Sequence, residues 1–239
     1  MEEVVKKNDF IEILYDGYSN GELFDSNKED EIKKLNPRAK AEKTIVVVGQ
    51  RMVVKGLDDS FENKEINKEY EIEINPKEGF GDRNPQLIKT IPLRSFQEQK
   101  VAPYPGMVLT LDSAVARILA ISGARVITDF NNPLAGKYLK YKYKVIRKVD
   151  DEKEKCEALF KTFFKMIPEF DIKESVVIKG PEMLKMFAEA FSPKFKEIIG
   201  KSLSFELKVE NKKDSEKVND EKENSLENNF IVDGKQEVV

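Results

Sequence analysis

Residues 139–145 constrain this chain more than any other stretch. Leu139, Tyr141, Tyr143 and Val145 alternate with Lys140, Lys142 and Lys144. A strand with this period has one apolar and one charged face, so it is half-buried. Asn131-Asn132-Pro133 and Gly136 stand just before it, and such turn formers make a tight loop that feeds the strand.

Composition narrows what surrounds that strand. The 239 residues leave room for one large domain or two to three small ones, and 40% hydrophobic content is enough for real cores. Charged residues make up 36%, above the usual quarter, with lysine and glutamate dominant, a balance that fits a heat-adapted protein. The net charge of −3 with both signs interspersed argues against a general nucleic-acid binder. One cysteine, Cys156, excludes an intrachain disulfide and is compatible with a reducing compartment. The first residues carry no apolar core of signal-peptide length, and no apolar run is long enough to span a bilayer. A cytoplasmic protein is expected. Histidine is absent, which removes the commonest metal ligand and the commonest general base. Zinc hydrolases, Ser-His-Asp triads and Cys-His nucleophile sites are poor readings, and no phosphate-binding glycine pattern occurs.

Along the chain, residues 9–15 read as a strand, with Asp16-Gly17 turning it. Asn20-Gly21 precedes a short strand from Glu22 to Ser26. Residues 27–43 are a polar excursion with one or two helical turns. Thr44–Val48 is a β-branched strand, residues 53–61 enter a short helix, and residues 70–74 alternate as a strand. From 84 to 129 apolar residues come thickly, with β-like runs at 107–111, 114–121 and 124–129, a small β meander. Residues 155–167 have one apolar helical face. A strand at 174–179 follows, then a helix begun at Pro181, another begun at Ser192-Pro193, and a final strand carrying Leu203, Phe205, Leu207 and Val209. From 211 onward the chain is too polar to offset ordering entropy and is expected to be disordered, with Phe230-Ile231-Val232 a lone apolar island.

Several motifs in order resemble those of FKBP-type peptidyl-prolyl isomerases of the SlyD kind, over residues 8–83 and 130–149. They are Tyr15 at the end of the first strand, Gly21-Glu22-Leu23-Phe24-Asp25-Ser26, the stretch Gly49 to Leu57, Gly79-Phe80-Gly81, and Asn131 to Lys137 followed by Tyr141. Each alone reads as core packing or turn capping; the ordered set is what is specific. The resemblance implies an α+β fold, with an antiparallel sheet wrapped on a short helix. The isomerase domain is then discontinuous, 1–83 plus 130–150. Residues 84–129 match by position the insert-in-flap chaperone domain, with Ile88, Ile91, Leu93, Phe96, Tyr104 and Met107 as its substrate-binding residues. A C-terminal α+β module at 151–210 and a charged tail at 211–239 suggest the long archaeal type.

The implied catalytic pocket comprises Tyr15, Phe24, Asp25, Val53, Val54, Leu57, Phe80 and Tyr141. Leu57 is its floor, the Val54 N–H donates to a substrate carbonyl, and Asp25 bonds Tyr15 and faces the twisting amide. Such a site needs no cofactor and no metal. Leu57 stands where drug-binding relatives carry tryptophan, Phe80 lacks the hydroxyl common in the flap, and Asn132 stands where histidine is usual. The implied function is prolyl isomerase and folding chaperone acting on unfolded or nascent proline-containing chains, with no nucleic acid or membrane partner. A non-catalytic holdase using the same surfaces is the competing reading, and an adaptor acting through residues 151–239 is a third.

Overall fold

The computed structural model describes residues 3–111 and 113–208. Val209, the tail at 211–239 and its Phe230-Ile231-Val232 island lie outside the described residues. Contacts divide the chain into two units, Met1–Ala158 and Leu159–Val239.

The first unit opens with β1 (Phe10–Ser19), β2 (Glu22–Ser26), α1 (Glu29–Leu35), β3 (Thr44–Val47), α2 (Lys55–Ser60) and β4 (Glu69–Ile74). It continues with β5 (Ile88–Pro92), α3 (Leu93–Glu98), β6 (Val108–Leu111), β7 (Ala114–Ser122), β8 (Arg125–Asp129), β9 (Leu139–Lys148) and the start of α4 (Glu152–Phe163). The larger sheet runs β2-β1-β9-β4, with β3 also paired to β1, and every pairing is antiparallel. β9 is the long alternating strand. Leu139, Tyr141, Tyr143 and Val145 are buried, and Lys140 and Lys142 reach Glu71 on β4 across the opposite face. The buried side chains meet Leu57, Phe61 and Ile74 in one core. Tyr143 anchors α2: its ring meets Phe61 edge-on at 5.1 Å, and its hydroxyl donates to the Ser60 carbonyl at 3.0 Å.

β1 does not turn at Asp16-Gly17. It runs on to Ser19, and the reversal falls at Asn20 and Gly21, with φ of 52° and 83°, the left-handed pair a two-residue hairpin demands. Asp16 is held in the strand as an acceptor, from Ser26 Oγ at 2.8 Å and Lys28 Nζ at 2.6 Å. Gly17 is there for space: a Cβ would stand 2.8 Å from Phe24 Cζ and 3.1 Å from Tyr141 Cε1.

Within the first unit, residues 88–129 form a second sheet, β5-β8-β7-β6, all antiparallel. β5 and α3 are not legible from the alternation, because Ile88–Pro92 is short and Pro92 interrupts it. α3 lays Phe96 on one face of this sheet against Ile118 and Val126. The entering and leaving chains run side by side. The Phe130 N–H donates to the Leu87 carbonyl at 2.9 Å, and Asn131 and Asn84 exchange bonds of 2.8 and 3.0 Å. Arg83 pairs with Asp129 at the same place.

The second unit holds β10 (Glu169–Ile172), β11 (Val176–Gly180), α5 (Met183–Ile199) and β12 (Leu203–Leu207), with β11 antiparallel to β10 and parallel to β12. α5 is one helix, not two, and Pro193 lies inside it. The ring lacks an N–H and weakens the ladder. Aromatic packing on both sides of it outweighs that loss: Phe191 stacks on Phe163 at 5.1 Å, and Phe195 meets Phe160 at 5.1 Å. Ser192 ties the helix to β12, its hydroxyl donating to the Leu203 carbonyl at 3.1 Å and accepting the Leu203 N–H at 3.0 Å. Gly200, at φ 75°, ends it.

α2 seats on β4 through Gly56, where a Cβ would stand 2.7 Å from Ile74 Cγ2. Gly56→Ala is therefore expected to lose stability, by about 1–3 kcal/mol of overpacking, despite the better helix propensity of alanine. Urea unfolding midpoints of the two proteins measure this; an alanine variant as stable as the parent contradicts the seating.

Candidate active site

Four rings converge where β1, β2 and β9 meet the turn after β4. Phe24 on β2 meets Tyr141 edge-on at 5.8 Å and Phe80 at 6.4 Å. Tyr15 on β1 lies 6.2 Å from Tyr141. Val53, Val54, Phe24, Tyr15 and Phe80 are half-buried against the core that contains Leu57, 1% exposed, and Tyr141, 4% exposed. All eight pocket residues expected from the sequence thus belong to one region of the first unit, Leu57 the deepest among them. Asp25 joins through Tyr15, whose hydroxyl donates to Asp25 Oδ2 at 2.9 Å.

Backbone geometry supports each wall. Phe80 sits between Gly79 and Gly81 in a turn whose N–H groups bond Asn75 and Pro76, and the Gly136 N–H donates to the Gly81 carbonyl at 2.8 Å. The 131–137 loop therefore braces the turn that carries Phe80. Val54 is the N-cap of α2, its carbonyl accepting from Leu57 and Asp58 at 3.0 Å each. An N-cap N–H has no partner within its helix.

The pattern of the sequence did not single out Asp58. It is 1% exposed and accepts the Gly49 N–H at 2.9 Å and the Arg51 N–H at 2.8 Å. Gly49 and Arg51 have φ of 85° and 57°, so this carboxylate holds a strained loop that leads straight into Val53 and Val54. Nothing in the sequence distinguishes it from Asp59, its exposed neighbour.

The electrostatics favour neutral hydrogen-bond donors. Burial pushes the Tyr15 phenol far above its usual range, and the charge and hydrogen bond of Asp25 push it further. Burial, then Asp25, does the same to Tyr141. Both phenols stay protonated at any physiological pH. The site combines apolar walls, protonated phenols and one carboxylate at the edge, suited to binding an uncharged, apolar group rather than to proton abstraction.

The insert residues divide. Phe96 is 2% exposed and is core, so it does not belong to an open gripping surface: α3 turns it onto the sheet. Ile91, Leu93 and Met107 are half-buried around it, while Ile88 is 36% and Tyr104 58% exposed. The sequence reasoning missed three other open apolar side chains of the insert, Val108 at 61%, Val115 at 59% and Leu119 at 38%. Val115 and Leu119 share one phase of β7, a signal usable only once the covered face is known.

Comparison with known proteins places the chain in a family. Residues 2–95 match the family model for FKBP-type peptidyl-prolyl cis-trans isomerase, and residues 89–134 match the FKBP26, IF domain model. The chain is 30% identical over 148 residues to a short-type peptidyl-prolyl cis-trans isomerase of Methanocaldococcus jannaschii, covering 61% of this chain and 94% of that one. It is 30% identical over 105 residues to the SlyD isomerase of Haemophilus influenzae and 28% over 111 residues to that of Helicobacter pylori. Those matches cover 41% and 44% of this chain, and 53% and 60% of those two relatives. The chain belongs to the FKBP-type peptidyl-prolyl cis-trans isomerases, enzymes that rotate the amide bond preceding proline.

The two phenols set an expected pH profile. A tyrosine held protonated in the fold contributes stability that is complete below its unfolded pKa of about 10 and is lost as pH rises beyond it. Urea midpoints are expected to fall above about pH 10, less steeply in Tyr15→Phe. Peptide turnover should show no inflection between pH 6 and 8, since the chain has no histidine. A bell-shaped turnover profile centred there contradicts this assignment.

Proposed function

We propose that Tyr15, Phe24, Asp25, Val53, Val54, Leu57, Phe80 and Tyr141 clasp the proline ring of a polypeptide substrate and lower the barrier to its rotation. The observation that carries this is the ring cluster over Leu57 with the Tyr15–Asp25 bond at its edge. A planar amide is stabilised by charge-separated resonance, and the twisted transition state loses it. Removing water around the amide therefore destabilises the planar state more than the twisted one, which is differential binding. Leu57 is the floor, Phe24, Phe80 and Tyr141 the walls. The Val54 N–H holds a substrate carbonyl, and Asp25 faces the rotating amide.

In this reading residues 1–83 with 130–150 are the isomerase body, residues 84–129 a chaperone insert, and residues 151–210 a separate module. The protein acts in the cytoplasm on unfolded or nascent proline-containing chains. The insert holds unfolded chain near the pocket, through the open sheet face with Val108, Val115 and Leu119 as well as Ile88 and Tyr104. Match to an insert-in-flap family model and the exposure of those side chains support this.

Phe24→Ala and Tyr141→Ala are each expected to lower kcat/KM on an X-Pro peptide about 10- to 100-fold, or ~1.4–2.7 kcal/mol of transition-state stabilisation. Equal turnover in folded variants and parent contradicts the pocket. Replacing residues 85–129 by a short glycine-containing turn is expected to spare peptide isomerisation. Catalysis of proline-limited refolding should fall roughly 10²-fold, because the second grip and its effective concentration are gone. Undiminished refolding would remove the insert from the mechanism.

A further inference from the structure

The face of the insert sheet opposite Phe96 forms a groove of about 370 Å³ that runs to the 131–137 loop. Its apolar lining includes Val108, Val115, Leu119 and Pro133. Its charged lining is asymmetric. Asp129 is already neutralised: burial alone would push its carboxyl up, but bonds from the Asn131 N–H and amide, and Arg83 beside it, hold it below the usual range. Arg117 and Lys137 also line the groove and have no ion-pair partner among the described residues. Arg117 stands opposite Val108 on β6 and opposite Asp129 on β8, so its cation lies beside an apolar side chain on one hand and, on the other, a carboxylate that Arg83 already pairs.

We propose that this groove selects extended polypeptide segments in which apolar side chains are flanked by carboxylates. The inference rests on the insert being the grip for unfolded chain and specifies what it grips. Its ground is charge complementarity. The whole chain carries −3, which at long range disfavours acidic partners. Within a Debye length of about 8 Å, however, the two uncompensated cations dominate the local field. An apolar floor with only two unpaired cations among its described lining does not fit a nucleic acid, whose backbone calls for a continuous basic track. It does fit a peptide that places apolar residues on Val108, Val115 and Leu119 and a Glu or Asp next to them, within reach of Arg117 and Lys137. Exposed pairs are individually weak, so the charges set preference among clients while apolar contact supplies the binding.

The test uses the full chain and two fluorescent peptides with the same apolar core, one flanked by glutamates and one by lysines, titrated at low and high salt. The glutamate-flanked peptide is expected to bind roughly 5-fold tighter at low salt, with the gap closing at high salt. Arg117→Gln with Lys137→Gln should abolish the preference, and Arg117→Glu with Lys137→Glu should invert it. Val115→Ser with Leu119→Ser should weaken both peptides alike. Equal binding of the two peptides by the parent, or a preference that survives the charge changes, overturns the inference while leaving the insert as the grip. Binding unaffected by Val115→Ser with Leu119→Ser, or no binding of either peptide, overturns the assignment of this face as the grip and the inference with it.

Discussion

Strand β9 is paired along both edges, to β1 and to β4, and the rest of the first unit is arranged around its two faces. Its apolar face carries two tyrosines two residues apart with different tasks. Tyr143 is spent on the core: stacked on Tyr70, edge-on to Phe61 and bonded to Ser60, it fixes the end of α2. Tyr141 lies against Phe24 and Tyr15, where the site begins. The same pleat that buries one sets the other beside Gly17, whose missing side chain leaves room for the Phe24 ring. Core and candidate site are therefore one continuous packing problem, and a change that lifts β9 from β1 disturbs both.

That continuity explains what was legible from residues alone. Period-two alternation marked β4 and β9, and Asn20-Gly21 marked the hairpin, because these signals are local. Gly17 was misleading because its reason is a ring on another strand, which local sequence cannot announce: a glycine in a strand reads as a turn until Phe24 is seen against it. Pro193 misled in the same way, since the stacking of Phe191 and Phe195 on α4 residues is tertiary. The eight proposed pocket residues were grouped through the order of family motifs, not through periodicity, which would have made most of them core. Asp58 went unseen because its worth lies in two backbone N–H groups of a loop, and Phe96 was misplaced because α3 itself was not legible.

A chain without histidine and with its site phenols held protonated has little means of proton transfer. Amide rotation asks for none, so an apolar enclosure suffices. The enclosure must nonetheless be held in shape. The Asp58 carboxylate fixes the loop before Val53 and Val54, the Gly136–Gly81 bond braces the turn bearing Phe80, and the Asn84–Asn131 exchange closes the neck of the insert beside it. These are polar devices placed around a largely apolar centre, in which the Tyr15–Asp25 bond is the polar contact at the edge.

The most direct test of the central claim is an NMR titration of the full, isotopically labelled chain with a short X-Pro peptide. The account predicts saturable shifts at the Val54 amide and at the side chains of Phe24, Leu57, Phe80 and Tyr141, with exchange between the cis and trans peptide signals accelerated at catalytic protein concentrations. Shifts confined to residues 88–129 or 159–208, with those five positions unmoved while the peptide is turned over, would contradict it.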